Sequence, residues 1–213
     1  MQQEDIYKKL GWNMEANIFW EIIGKYNNKT IIIQIILFVL GIFAFILSYT
    51  GRIKWIIKFT LGIIILFIGI VHFGYYGTEM IQKYFAFPLF IFSGVLFIFE
   101  SIKNKQDILE KFNTIQFILL FLYLLYPLIS FILGNRFPKM VTLIMPCPII
   151  SVSIVIYSAY KTKNKLLLVC MALWGLTGIK AFVANAYEDI ILLICGIYCI
   201  YVLINQIRVK TLM

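Results

Sequence analysis

Seven apolar runs follow one another along the chain, each bounded by charge. Thr30–Gly51 is charge-free, and so is Phe59–Thr78 if His72 is neutral. Tyr84–Phe99 extends to Ile102 when Glu100 sits at an interface. Phe112–Asn135, Met140–Tyr160 and Ile190–Ile207 carry no charge, and Leu166–Tyr187 carries only Lys180. About 20 apolar residues cross ~30 Å of hydrocarbon as a helix. The runs therefore predict spans at about 30–51, 55–77, 84–102, 114–134, 140–160, 166–184 and 190–207, within a membrane domain of residues 30–207. Lipid cannot satisfy backbone polar groups, so the spans must be helices. The strands of a membrane barrel would alternate apolar and polar residues, and these runs do not.

Residues 1–29 read differently. Met14, Ile18, Ile22 and Phe19, Ile23, Tyr26 recur at helical spacing, with Glu15, Glu21 and Lys25 between them. This pattern predicts an amphipathic helix, lying in the outer interface with Trp12 and Trp20 as anchors or packed against the bundle. Glu4–Lys8 and Asp5–Lys9 are i,i+4 pairs in a polar lead-in. The expected fold class is an all-α integral membrane protein, a seven-transmembrane-helix bundle with an N-terminal amphipathic interfacial helix.

Composition sharpens this picture. Hydrophobic residues make up 62% of the 213 and charged residues 14%, against ~25% charged in ordinary soluble domains. Such a chain is not a disordered protein, a nucleic-acid-binding domain or a typical cytosolic enzyme. The net charge of +9 then speaks first to orientation. Arg52, Lys54, Lys58, Lys103, Lys105, Lys111, Lys161, Lys163, Lys165, Arg208 and Lys210 flank one side of the predicted spans, eleven in all. Lys25, Lys29, Lys83, Arg136, Lys139 and Lys180, six in all, flank the other. The richer side is expected to be cytoplasmic, with the N-terminus outside and residues 208–213 as a cytoplasmic tail. The first run is longer than a signal-peptide core and no small-x-small site follows it, so it reads as a retained span.

Candidate chemistry concentrates at residues 126–148. Pro127 falls within the fourth span and is expected to kink it. Gly134-Asn135 reads as a helix C-terminus. Pro146-Cys147-Pro148 lies a few residues into the fifth run. Pro148 suits a first helical turn, which would put Cys147 at the N-cap and leave residues 140–147 irregular or re-entrant. Irregular backbone at that depth must be buried in protein or line a wet cavity. A helix N-terminus with Arg136 nearby favours a small anion or polarised ligand group, and a thiol there can become reactive. The plainer reading is a proline-kinked bundle with a small buried cysteine.

The same block carries a family resemblance. Tyr126-Pro127-Leu128, Leu133-Gly134-Asn135-Arg136-Phe137-Pro138 and Pro146-Cys147-Pro148, in that order, resemble an uncharacterised bacterial membrane family, domain of unknown function 6064. Glu21 to Asn27 is similar to that family's amphipathic start. His72-x-x-Tyr75-Tyr76 is similar to its His-x-x-Phe-Phe, with tyrosine in place of both phenylalanines. The resemblance implies a multi-span protein of the bacterial inner membrane and no known activity.

The remaining candidates are few. His72 is the single histidine, with Tyr75, Tyr76 and Glu79 after it near the outer end of span two. Ionisable groups at membrane depth are often functional, although an interfacial histidine beside an aromatic belt is the simpler explanation. Glu100 and Lys180 read as helix-end charges that snorkel. The four cysteines, 147, 170, 195 and 199, lie in apolar runs and form no CxxC pair. Cys195 and Cys199 share a helix face and, with Cys147, Met145 and His72, would need three helices to converge on a soft metal. Small residues at a helix seam explain them more simply, as they do Gly62, Gly69, Gly175 and Gly178. The last span has no lysine for retinal, one histidine cannot supply two haem ligands, and HExxH, GxSxG and a phosphate-binding glycine loop are absent.

The expected partners are the lipid bilayer and a small polar or anionic ligand, with no nucleic acid, no cofactor and no metal. The leading functional expectation is transport or permeation of such a solute through an outward-facing cavity. Candidate residues are His72, Tyr75, Tyr76, Glu79, Tyr126, Pro127, Arg136, Pro146, Cys147 and Pro148. The alternative is a membrane sensor or accessory subunit that binds a partner. A membrane enzyme using Cys147 ranks third.

Overall fold

The computed structural model describes residues 2–78 and 80–211, with side chains described for 17–78, 80–182 and 185–208. Glu79, Trp12, Met14, Glu15, Lys210 and the Glu4–Lys8 and Asp5–Lys9 pairs lie outside the described side chains. The described residues are helical, without a strand. The helices are α1 (Gln2–Tyr49), α2 (Ile56–Phe67), α3 (Phe87–Lys103), α4 (Thr114–Ile132), α5 (Pro146–Ser158), α6 (Lys165–Leu176), the single turn α7 (Ala181–Ala184) and α8 (Ile190–Thr211). Two stretches are wound as π-helix: Ile68–Tyr75 prolongs α2, and Gln82–Ala86 leads into α3. Short 3₁₀ turns, Thr177–Lys180 and Tyr187–Asp189, lie on either side of α7. α7 continues α6, so the described residues form seven rods.

Five segments are long and apolar enough to cross a membrane: Asn17–Tyr49, Ile56–Tyr75, Gln82–Lys103, Thr114–Ile132 and Tyr187–Arg208. α5 is apolar but has only 13 residues, against the roughly 20 a full span needs. Yet it occupies the centre. Eleven consecutive residues, Pro148 to Ser158, are buried, and α5 packs against α2, α4, α6 and α8. Its predecessor in the chain, 140–145, is not helical. The irregular segment expected from the Pro-Cys-Pro sequence is therefore present. Its helix boundary differs from expectation: the N-cap is Met145, with extended φ −129° and ψ 164°, and Pro146 is the first helical residue. Pro146 forces Met145 into extended backbone as Pro148 was expected to force Cys147. Cys147 thus lies inside the first turn and is not its cap.

The amphipathic segment and the first span are one continuous helix with no proline. The apolar face of the segment packs on the bundle: Ile22, Ile23 and Tyr26 are buried, while Glu21 and Lys25 are not. Polar side chains on α1 also secure the irregular segment. Asn27 Nδ2 donates to the carbonyls of Pro138 (2.8 Å) and Met140 (2.7 Å). Tyr26 O–H donates to the Ile144 carbonyl at 2.9 Å. Thr142 Oγ1 donates to Gln34 Oε1 at 2.6 Å, and Gln34 Nε2 donates back to Asn27 Oδ1 at 3.1 Å. Backbone without a helical ladder is thereby satisfied by a neighbouring helix, as membrane depth requires.

Glycine seams set the closest helix approaches. A Cβ on Gly175 would lie 2.5 Å from the Cα of Gly196, and one on Gly94 would lie 3.0 Å from the Gly62 carbonyl oxygen. These seams join α6 to α8 and α2 to α3, the role expected for Gly62 and Gly175. Gly196→Leu is expected to force the α6–α8 pair apart. Overpacking costs about 1–3 kcal/mol and occasionally more, read as a lowered Tm of the detergent-purified protein. An unchanged Tm would mean that the seam is not closed in solution.

The Lys-rich end is tied down by buried polar contacts. Lys58 Nζ meets Asp107 Oδ2 at 2.8 Å with both side chains buried, and lies 3.9 Å from the centre of the Tyr160 ring. Glu100, expected to snorkel, is buried. Its carboxylate accepts from Asn104 Nδ2 (2.7 Å) and Asn164 Nδ2 (3.0 Å). The reason is local: two amide side chains supply donors, so the carboxylate need not reach water. Asn113 and Gln116 form a reciprocal capping box at the start of α4. Burial lowers the Lys163 pKa from its ordinary value, against an opposing pull from Glu110 and Asp107.

Candidate functional site

A cavity of about 270 Å³ lies at the opposite, Lys-poor end. Its walls come from parts of the chain far apart in sequence. Phe19 and Ile23 of α1 form one side, and His72 and Phe73 of the first π-helical stretch another. Ile81, Gln82, Phe85 and Ala86 enclose it from the approach to α3. Val141, Met145 and the Pro146-Cys147-Pro148 turn contribute from the irregular segment and α5. Trp174, Thr177, Lys180 and Asp189 close it from α6 and the turns beyond. Ile81, Phe85 and Lys180 are solvent- or lipid-exposed and mark its mouth.

Local structure explains why these side chains meet. The π-helical windings add about one residue per turn to the α-helical register, and such insertions recur at functional sites. One of them carries His72, which is buried with its ring edge-on to Tyr26 (4.9 Å) and Phe73 (4.8 Å). On the far wall, Gly178 lets the α6 continuation approach the acidic turn: a Cβ there would lie 2.7 Å from the Asp189 carbonyl oxygen. That turn places both carboxylates indoors, Glu188 at 1% and Asp189 at 8% exposure. Glu188 Oε1 accepts from Ser130 Oγ at 2.7 Å. Ser130 Oγ also accepts from the Val141 N–H at 3.0 Å, so one buried hydroxyl joins α4, the irregular segment and the acidic turn.

Several polar atoms here lack partners. They are His72 Nδ1, Trp174 Nε1, Asp189 Oδ1 and Glu188 Oε2. The Cys147 thiol, a weak hydrogen-bonding group, sits beside the Asp189 carboxylate and the Trp174 indole. Buried polar groups are hydrogen-bonded as a rule, and exceptions gathered around one cavity need an explanation. His72, Trp174 and Asp189 come from three separate elements and line the same space.

The chain belongs to the DUF6064 family, a family of unknown function. The match covers residues 16–213, as the 126–148 block and its flanking echoes led us to expect. No curated protein and no solved structure matches the chain. DUF6064 brings no activity with it, so the chemistry of this member rests on its own side chains.

The structure gathers part of the expected site and disperses the rest. His72, Pro146, Cys147 and Pro148 line the cavity. Tyr76 stands behind His72, edge-on to Tyr26 at 6.3 Å, whereas Tyr75 is 79% exposed. Tyr126 is buried below the site, its hydroxyl 3.2 Å from Ser151 Oγ, which donates to the Cys147 carbonyl at 2.8 Å. Pro127 lies within α4, which continues past it. Arg136 is exposed and outside the cavity. Its guanidinium donates to the carbonyls of Phe131 (2.7 Å) and Asn135 (2.9 Å) and stacks on the Phe131 ring at 3.9 Å. It closes the C-terminus of α4, where Gly134 takes φ +97°. Cys195 and Cys199 are buried in the α6–α8 region, and Cys199 Sγ donates to the Leu168 carbonyl. Among the described residues, no three His, Cys, Asp or Glu side chains are grouped to hold a metal ion.

Trp174, Glu188 and Asp189 were not anticipated as site residues. Glu188-Asp189 reads in sequence as a charged loop at the head of an apolar run, the usual mark of an interface. A signal was present: two adjacent acids stand among apolar residues on the side poorest in lysine.

Proposed function

We propose that this DUF6064 member is a seven-span protein of the bacterial inner membrane, with its N-terminus outside and C-terminus inside. In this reading it binds a small polar solute in the cavity at its outer end and passes it across the membrane. One observation carries the reading: His72, Trp174 and Asp189, from three separate elements, line one cavity, and each carries a polar atom without a hydrogen-bond partner. Ligand sites are typically apolar clefts with a few convergent polar groups, and this one matches that description. Its volume falls just below the ~300–1,000 Å³ common for drug-sized ligands, so the solute is small. A sensor or accessory subunit would more simply have a dry core. The case for an anion weakens, because Arg136 faces away and two carboxylates take its place.

Cys147 supplies the test. It is the cysteine with partial exposure, whereas Cys170, Cys195 and Cys199 are buried. With those three replaced by alanine, a membrane-impermeant maleimide is applied to right-side-out and inside-out vesicles. Transport requires the site to open to each side in turn, so Cys147 is expected to react from both, faster from the Lys-poor side. Reaction from one side only would overturn transport. Reaction from neither would overturn an accessible cavity.

A further inference from the structure

The inner part of the cavity is lined and backed by acidic side chains. Asp189 lines it, is 92% buried by its 8% exposure, and its Oδ1 accepts no hydrogen bond. Beside it, Glu188 is more deeply buried, with one carboxylate oxygen held by Ser130 and the other without a donor. The nearest basic side chain of the cavity, Lys180, is exposed at the mouth. Among the described residues the one salt bridge is Lys58–Asp107, at the other end of the molecule. A buried carboxylate whose neighbouring donor is only the weak Cys147 thiol is costly, and the same group favours a ligand that supplies a stronger donor or a cation. Phe19, Phe73 and Trp174 present aromatic surface to the same space, which suits both an apolar body and a positive charge.

We propose that the cavity selects a small organic cation, an amine with a compact apolar body, whose ammonium group donates to Asp189 Oδ1 between aromatic walls. The inference deepens the solute-binding reading above and rests on it. An anion of the same shape meets two carboxyl groups and, among the described residues lining the cavity, no buried cation, so selectivity is built from exclusion as well as attraction. His72 lines the same cavity, and its unpartnered Nδ1 is an acceptor when unprotonated.

Three probes of matched shape separate the alternatives: phenethylamine, 2-phenylethanol and phenylacetate. Each is titrated calorimetrically into the full-length protein in detergent, and each is tested for slowing maleimide modification of Cys147. Phenethylamine is expected to bind at least tenfold more tightly than the alcohol and to protect Cys147, while phenylacetate does neither. Asp189→Asn is expected to weaken amine binding at least tenfold. Glu110→Gln makes the same charge change at the exposed, Lys-rich end and is expected to leave binding unchanged. Should Asp189→Asn fail to fold, protection of Cys147 in the wild-type protein still ranks the three probes. Equal or tighter binding of phenylacetate or the alcohol overturns the cation assignment and leaves the cavity reading standing. Amine binding that survives in folded Asp189→Asn also overturns it. If no probe binds or protects, both the assignment and the solute-binding reading fall.

Discussion

Replacing Asp107 with alanine is expected to destabilise the protein by about 3–5 kcal/mol, the range for removing one partner of a buried ion pair. The pair is Lys58 and Asp107, 2.8 Å apart with side-chain exposures of 1% and 8%. Removing the acid leaves a buried ammonium group in the first turn of α2, facing the Tyr160 and Tyr157 rings. Those rings give a cation–π attraction, worth about 2 kcal/mol or more when desolvated, which does not replace a carboxylate. At ~2–4 °C per kcal/mol for a chain of this size, the Tm of the purified protein should fall by about 6–20 °C. The double variant Lys58→Met with Asp107→Leu tests the cause. It removes both charges and refills the volume, so it should be more stable than Asp107→Ala alone. If the double variant is worse than either single change, packing matters here more than charge.

Asn27→Leu is expected to have the second large effect, and a different signature. Asn27 is fully buried, and its amide nitrogen is shared by the carbonyls of Pro138 and Met140. Leucine has a similar size and no donor. Each such carbonyl left without a partner costs about 1–3 kcal/mol, so a loss of about 2–6 kcal/mol is expected for the two. The segment released is residues 138–145, which forms one wall of the cavity and leads directly into Cys147. Maleimide modification of Cys147 should therefore accelerate in this variant, while Asp107→Ala, at the far end, should leave the folded protein's rate unchanged. A stability loss without a change at Cys147 would separate the α1 network from the cavity wall.

Much of this architecture was legible in the sequence because lipid imposes simple rules. Charge-free runs of the right length marked the long helices. Pro146-Cys147-Pro148 announced an irregular approach to α5, because proline at those positions cannot continue a helix backwards. Gly134 marked the end of α4. What the sequence concealed was the direction of polar side chains. Asn27 ends the amphipathic pattern and Thr30 and Gln34 open the first apolar run, yet Asn27 and Gln34 bond to residues 138, 140 and 142, and Thr30 bonds to Gln34. No break separates the amphipathic segment from the first span, because one face, carrying Ile22, Ile23, Tyr26, Asn27, Thr30 and Gln34, stays buried against protein across the junction. Glu188-Asp189 and Glu100 are the instructive misses. Charge at the edge of an apolar run normally implies contact with headgroups or water, but three-dimensional packing supplied buried surroundings instead. Arg136 errs in the other direction: its neighbours in sequence belong to the site, while its guanidinium is consumed by the carbonyls ending α4.

The π-helical stretch that follows Phe67 has a consequence for how relatives of this chain should be compared. Its hydrogen bonds run one residue further than those of α2, so the two halves of a single rod keep separate angular registers. The half nearer Lys58 is fixed by Gly62 against α3, and the half carrying His72 is fixed by Tyr26 and Phe73. A one-residue deletion between 68 and 71 is therefore absorbed by rewinding to α-helix, which preserves the lower contacts and leaves the imidazole close to its present direction. Among relatives, an alignment gap at that place would mark a member with the same scaffold and a histidine aimed the same way. It would be a change of length that leaves the site where it is.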